Sequence, residues 1–222
     1  MKLRLRFFVL LLLGSTSFGL LSAEDEAWKL RRDREGIQVY TRSVAGSPFD
    51  AVRATAVVET VRLTSLVALI QDAEACPEWA DRCAESYLIE QLSENESLIY
   101  THSDMPFPVK DRDVVAHVSW SQDPVTFEVM MNSVAITGRI DEVRGRLRLT
   151  DARAIWRFTP LPSGEVAIFS EAHINPGSSL PGWVTNMLLV DTPFETMKSF
   201  VAEAVKPKYA DAQLSFIQEP SR

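Results

Sequence analysis

The sequence predicts an α+β fold in which a curved antiparallel sheet with one buried face packs against a long helix near the C-terminus. Three observations carry this. Between residues 87 and 173 apolar and polar residues run in short strand-like segments separated by turn residues. From about residue 180 the period becomes helical: Trp183, Met187, Val190, Phe194, Met197, Val201 and Ala204 follow one another at spacings of four and three. Strands gathered ahead of a terminal helix, rather than alternating with helices, mark the α+β class. At 222 residues, 46% hydrophobic and 24% charged, the chain has the composition of one globular domain with its own core.

The first 23 residues read as a secretory signal peptide. Lys2, Arg4 and Arg6 precede the apolar run 7–13, small residues follow, and Leu21-Ser22-Ala23 leads into the acidic Glu24-Asp25-Glu26. The stretch 7–21 is interrupted by Gly14, Ser15, Thr16 and Ser17, and is short of the ~20 apolar residues that a spanning helix needs. A bacterial lipoprotein signal would require Cys where Glu24 stands. Cleavage after Ala23 is therefore expected, with residues 24–222 as the exported domain, in the periplasm or secreted if the source is not Gram-negative. Losing these three cations takes the net charge from −7 to −10. Such an acidic balance argues against nucleic-acid binding, which needs clustered cations to displace counterions from phosphates.

Residues 24–32, charged around Trp28, read as a short helix. Residues 37–40 and 52–58 are predicted strands separated by a turn at Gly46-Ser47-Pro48, and 60–70 has helical spacing at 63, 66, 67 and 70. Cys76 and Cys83 bracket Pro77-Glu78-Trp79-Ala80-Asp81-Arg82. On a straight helix their Cα atoms would stand ~10.5 Å apart, beyond the ~7 Å that a disulfide bridges. Export favours pairing across a helix broken at Pro77, the alternative being two buried free thiols. No His or second Cys pair lies nearby at ligand spacing, so no metal is assigned.

Strands follow at 87–91 and 97–102 around the polar turn Ser93-Glu94-Asn95-Glu96, at 114–120, and at 126–131 after Gln122-Asp123-Pro124. Residues 133–150 have no clear assignment, although Arg146 and Arg148 alternate with Leu147 and Leu149 like a strand with one solvated face. The clearest hairpin joins 152–159 to 165–173, with Ala152, Ala154, Trp156 and Phe158 on one side and Arg153, Arg157 and Thr159 on the other. Pro193 interrupts the terminal stripe. Flanked by Thr192 and Glu195, it has the pattern of a capping box with Pro at the first helical position, which predicts a kink or restart.

The chain resembles the START (StAR-related lipid transfer) domain family. The resemblance rests on Pro106-Phe107-Pro108-Val109-Lys110-Asp111-Arg112-Asp113-Val114-Val115, on Val143-Arg144-Gly145 through Leu149, on Trp156-Arg157-Phe158 with the following Pro-Ser-Gly hairpin, and on Asn175-Pro176-Gly177-Ser178-Ser179-Leu180-Pro181-Gly182-Trp183-Val184-Thr185-Asn186. Together these motifs span residues 26–210. Val114 stands where the family carries an aromatic, and Asn175 where it carries Asp. The resemblance implies a helix-grip fold, a curved sheet wrapped around the terminal helix with an internal hydrophobic tunnel.

No Gly-x-Ser-x-Gly elbow, His-Glu-x-x-His pair or phosphate-cradling glycine loop occurs, and His102, His117 and His173 fall on three different predicted strands. No catalytic residue and no cofactor are assigned. The expected function is an exported lipid-binding or lipid-transfer protein that encloses one hydrophobic ligand between sheet and helix, at roughly 25 cal/mol per Å² of apolar surface removed from water. Its partners would be that lipid and, transiently, a membrane surface, with the protein acting as a monomer. Residues expected to line the tunnel are Phe107, Met130, Trp156, Phe158, Trp183, Met187, Val190, Phe194, Met197 and Val201. Arg112 and Asp113 are expected as polar groups near it. The alternatives are an aromatase- or cyclase-like enzyme on the same scaffold and a lipid-responsive sensor module.

Overall fold

A ten-stranded sheet organises the computed structural model, which describes residues 27–59 and 61–220. The expected signal peptide lies outside the described residues. The strands are β1 (Lys29–Arg34), β2 (Ile37–Arg42), β3 (Ala51–Val58), β4 (Cys83–Ser93), β5 (Glu96–Ser103), β6 (Asp111–Gln122), β7 (Val129–Ala135), β8 (Arg146–Arg148), β9 (Ala152–Pro160) and β10 (Val166–Ile174). Their order is β1-β2-β3-β10-β9-β7-β6-β5-β4, with antiparallel neighbours throughout. β8 runs parallel to β6 at residues 111–113, where β7 no longer pairs.

Of the helix expected at 24–32, residues 24–26 lie outside the described residues, and residues 29–34 form the strand β1 instead. Glu35 and Gly36 both adopt left-handed φ, 54° and 74°, the geometry of a two-residue hairpin turn whose twist matches its strands. Pairing with β2 then outweighs the weak helical preference of a charged segment. β7 begins at Val129 rather than 126, because Asp123 Oδ1 accepts the N–H groups of Val125 and Thr126 at 2.8 and 2.7 Å and holds a wide turn.

The sheet's inner face packs against α1 (Leu63–Gln71) and the terminal helix, burying Val39, Ala54, Val118, Met131, Phe158 and Ile168 with Leu66, Val67, Phe194 and Phe200. The outer face of β5 and β6 is covered as well. There Asp113 receives two bonds from Arg148, each 3.0 Å, and one from the Tyr100 hydroxyl at 3.1 Å. Arg148 also donates to the carbonyls of Ile140 and Asp141, so this buried ion pair fastens residues 136–149 onto the sheet. Long-range bonds, not local periodicity, order this segment, which explains why the sequence gives it no clear assignment.

The terminal helix is continuous: α3 (Gly182–Asn186), a π-helical turn (Met187–Asp191) and α4 (Thr192–Ala204). The capping box is not formed. Asp191 is already helical, and Thr192 donates its hydroxyl to Asp81 Oδ2 at 2.8 Å instead of capping its own helix. Pro193 has no N–H to give and its ring crowds the carbonyl four residues back; a widened turn absorbs both defects without breaking the helix. β1 and the turn after it clasp this helix through Arg32–Asp191 at 2.6 Å and Lys198–Glu35 at 2.7 Å.

Cys76 and Cys83 are bonded, with Cα atoms 6.0 Å apart. The short α2 (Cys76–Trp79) carries Pro77 in its first turn, where proline is tolerated. The break therefore comes not at Pro77 but at Ala80, which turns extended, and at Arg82, whose φ of 69° swings the chain into β4.

Candidate functional site

Side-chain size along the sheet's inner face decides where space remains. At one end Trp156 and Phe158 meet Trp79 and Phe200 in an aromatic cluster, with ring centroids 4.7 Å apart for Trp156 and Phe200 and 5.2 Å for Trp79 and Phe200. Toward the other end the inward positions of β3 and β10 are smaller: Val52, Ala54, Ser170 and Ala172. The terminal helix crosses above them and does not fill the gap. Two adjoining cavities result, of about 350 and 240 Å³, sharing Val52, Ala172, Ile174, Leu188 and Thr192 in their walls. Trp156 and Met197 bound the smaller; Phe49, Met105, Leu149, Leu180 and Leu189 help to wall the larger.

The helix is latched over the larger cavity by the segment that the disulfide encloses. Thr196 Oγ1 accepts the Asp81 N–H at 3.0 Å, the Thr192 hydroxyl bonds the Asp81 carboxylate, and Arg82 Nε lies 3.4 Å from the same carboxylate oxygen. Asp81, Arg82 and Thr192 all face this cavity.

Arg112 also faces it. On β6 it points to the inner side with Ala116, Val118 and Trp120, and only 4% of its surface is exposed. Its guanidinium donates to the Lys110 carbonyl, to Ser178 Oγ at 3.1 Å and to the Pro176 carbonyl at 3.4 Å. Nε is buried and has no acceptor among the described residues. Burial lowers the pKa of this guanidinium, while the neighbouring Asp111 carboxylate pulls it back up. That carboxylate is itself engaged: it accepts the Met105 N–H at 3.0 Å and meets His102 Nε2 at 3.0 Å. These two contacts, the backbone bond foremost, hold Asp111 below the usual carboxylate range. His102, Asp104 and Asp111 thus bring three potential metal-ligand atoms within 4.8 Å of one another, a grouping that the sequence reading did not anticipate. Both Asp111 oxygens are already occupied by protein groups, and the cluster anchors the loop 104–110.

Of the expected tunnel residues, Trp156 and Met197 bound a cavity. Phe158, Val190 and Phe194 are buried but do not line these cavities, nor do Met187 and Val201. Met130 is turned to the sheet's outer face, because strand alternation sends its neighbours Val129 and Met131 inward. Phe107 is 93% exposed and Trp183 56% exposed, both outside the cavity. Asp113 lies on the opposite face of β6 from Arg112 and serves Arg148. The π-helical turn accounts for the error on the helix: one widened turn shifts the phase, so that Val184 is buried in place of Trp183, and Thr185, Leu188, Leu189 and Thr192 face the cavity. The run of small residues at 54, 170 and 172 was the sequence signal available for the hollow, and it was missed.

Comparison with known proteins follows the same outline. The START domain family pattern matches residues 16–207. An uncharacterised protein of Pseudomonas aeruginosa is 31% identical over 195 residues, 87% of this chain and 95% of its own. The crystal structure of a STAR-related lipid transfer protein fragment from Xanthomonas axonopodis superposes with a TM-score of 0.73 at 28% identity, covering 81% of this chain and 99% of that one. Human STARD10 shares the fold, with a TM-score of 0.70 at 21% identity over 81% of this chain and 74% of its own.

Proposed function

The chain belongs to the START domain family, and on that premise we propose that it is an exported, non-enzymatic carrier that encloses one lipid beneath its terminal helix and moves it between membranes. A lipid-binding role follows from the family and from the lipid transfer protein of Xanthomonas axonopodis that the chain resembles. The observation that carries enclosure is the 350 Å³ cavity and its 240 Å³ neighbour, walled largely by aliphatic and aromatic groups of β3, β10 and the helix above them. The larger lies at the lower end of the ~300–1,000 Å³ typical of small-molecule sites. Binding without chemistry is favoured because, of the titratable groups in its wall, the Asp81 carboxylate is spent on Arg82 and the Thr192 hydroxyl, Arg112 is tied to Lys110, Pro176 and Ser178, and among the described residues only the Asp50 carboxylate is left over. Export is supported by the arrangement of residues 1–26, and the periplasm is the compartment it suggests. A monomer, touching a membrane only to load and unload, suits a role as a shuttle.

Native mass spectrometry of protein purified from its host without detergent tests this. The expected result is a population heavier by one lipid mass, returning to the polypeptide mass after solvent extraction. A polypeptide mass alone, combined with no uptake of fluorescent fatty acid, sterol or phospholipid by the extracted protein, would sink the proposal.

A further inference from the structure

We infer that the ligand carries an anionic oxygen head, a carboxylate or a phosphate on an apolar body, and that Arg112 binds it. This rests on the enclosed-lipid reading and adds the chemical class of the lipid.

The argument begins with a contrast between two buried arginines. Arg148, 5% exposed at its side chain, has a carboxylate, Asp113, held in a two-bonded fork. Arg112 is buried to the same degree, yet among the described residues no carboxylate forms an ion pair with it, and its acceptors are two backbone carbonyls and one hydroxyl. Of the two acids that flank it in sequence, Asp113 is held by Arg148 and Asp111 is committed to His102 and to the Met105 N–H. A charge taken out of water without a counter-charge is expensive, and neutral acceptors offset only part of that cost. The chain leaves this charge without a counter-ion in a mostly apolar cavity wall that it shares with Asp50 and with the paired Asp81 and Arg82, and Nε still lacks an acceptor. A guanidinium's rigid fork matches the paired oxygens of a carboxylate or phosphate, whereas a lone neutral hydroxyl could satisfy only one of its N–H groups. The contacts from Nη1 to Lys110 and from Nη2 to Pro176 and Ser178 hold the guanidinium in place in the cavity wall, so the head group would meet a positioned cation.

The test uses the extracted full-length protein and displacement of a neutral pyrenyl alkane. Three competitors share one chain: hexadecanoic acid, hexadecyl phosphate and methyl hexadecanoate. A charge-assisted bond in a buried site predicts ~10- to 100-fold tighter binding of at least one anion than of the ester. Which anion wins separates a fatty-acid-type source from a phospholipid-type one. Arg112→Met should abolish the preference and leave ester binding in place, and Arg139→Met, which removes an exposed cation outside the cavity wall, should preserve it. Equal binding of acid, phosphate and ester to the wild type overturns the inference without any variant, even if Arg112→Met fails to fold. A preference that survives Arg112→Met, or disappears with Arg139→Met, overturns the assignment to Arg112. Failure of the reporter and all three competitors to bind would instead refute the lipid-binding reading itself.

Discussion

Asp113 shows what a single residue can settle and what its sequence neighbourhood conceals. It stands beside Arg112 in a run of four charges, and in the sequence the two look interchangeable. On β6 they face opposite ways: Arg112 toward the cavity, Asp113 into a network with Arg148 and Tyr100. Alternation along a strand makes that separation obligatory, but which member faces inward depends on register, and one residue of slip would exchange them. Asp113→Ala leaves Arg148 buried without its partner, and loss of one member of such a pair typically costs ~3–5 kcal/mol. For a domain whose total stability is of order 5–15 kcal/mol this is severe. Urea denaturation should show the loss, and Arg148→Met in the same chain should recover part of it; a single variant as stable as wild type would contradict the structural role given to the pair. Cys76 and Cys83 were legible for a different reason: they are the chain's two cysteines, and the expected export favours their pairing.

At the scale of elements, most strands were legible because alternation is local, and the hairpin of β9 and β10 was the clearest for that reason. β1 was not, since its turn signal, Glu35-Gly36, is only two residues long and its partner strand decides the outcome. The terminal helix was expected from about 180 to about 210 and runs from Gly182 to Ala204; its stripe holds from Val190 on, where Phe194, Met197 and Ala204 are buried, and is out of phase before that, where Val184 is buried in place of Trp183. A stripe at spacings of four and three assumes one uniform helix, and Pro193 forces a widened turn that rotates everything before it. The cavity wall is consequently made by Leu188, Leu189 and Thr192, with Ala172 opposite them on β10. Ala172 borders both cavities, so Ala172→Phe should place a ring where they join. In a close-packed core such an enlargement typically costs ~1–3 kcal/mol. Over an existing hollow, the thermal midpoint of extracted protein should stay near that of wild type while lipid uptake falls about tenfold or more, equivalent to ~1.4 kcal/mol of lost affinity. A large drop in midpoint with uptake intact would mean that the space is not the ligand's.

For the whole molecule, the remaining question is how a lipid reaches a cavity covered by a latched helix. The loops around the larger cavity supply Phe49, Met105 and Leu180 to its wall, and within three residues of the last two stand the exposed rings of Phe107 and Trp183. Both rings were expected inside; exposed and close in sequence to wall residues, they suit contact with a bilayer instead. The charge on the chain narrows the mode of that contact. At −7, or −10 after the expected cleavage, the protein gains little from the anionic lipids that attract polybasic segments, so adhesion would depend on inserting apolar side chains. This separates binding from delivery. Replacing Phe107 and Trp183 together with Ser should leave equilibrium uptake of a fluorescent lipid unchanged, because neither ring lines the cavity, while slowing its transfer between neutral vesicles severalfold. Transfer by the wild type should also respond weakly to added salt, since screening acts on charges and not on buried apolar area. Transfer that is unchanged in the double variant, or that collapses as salt is raised, would show that the protein docks by some other surface.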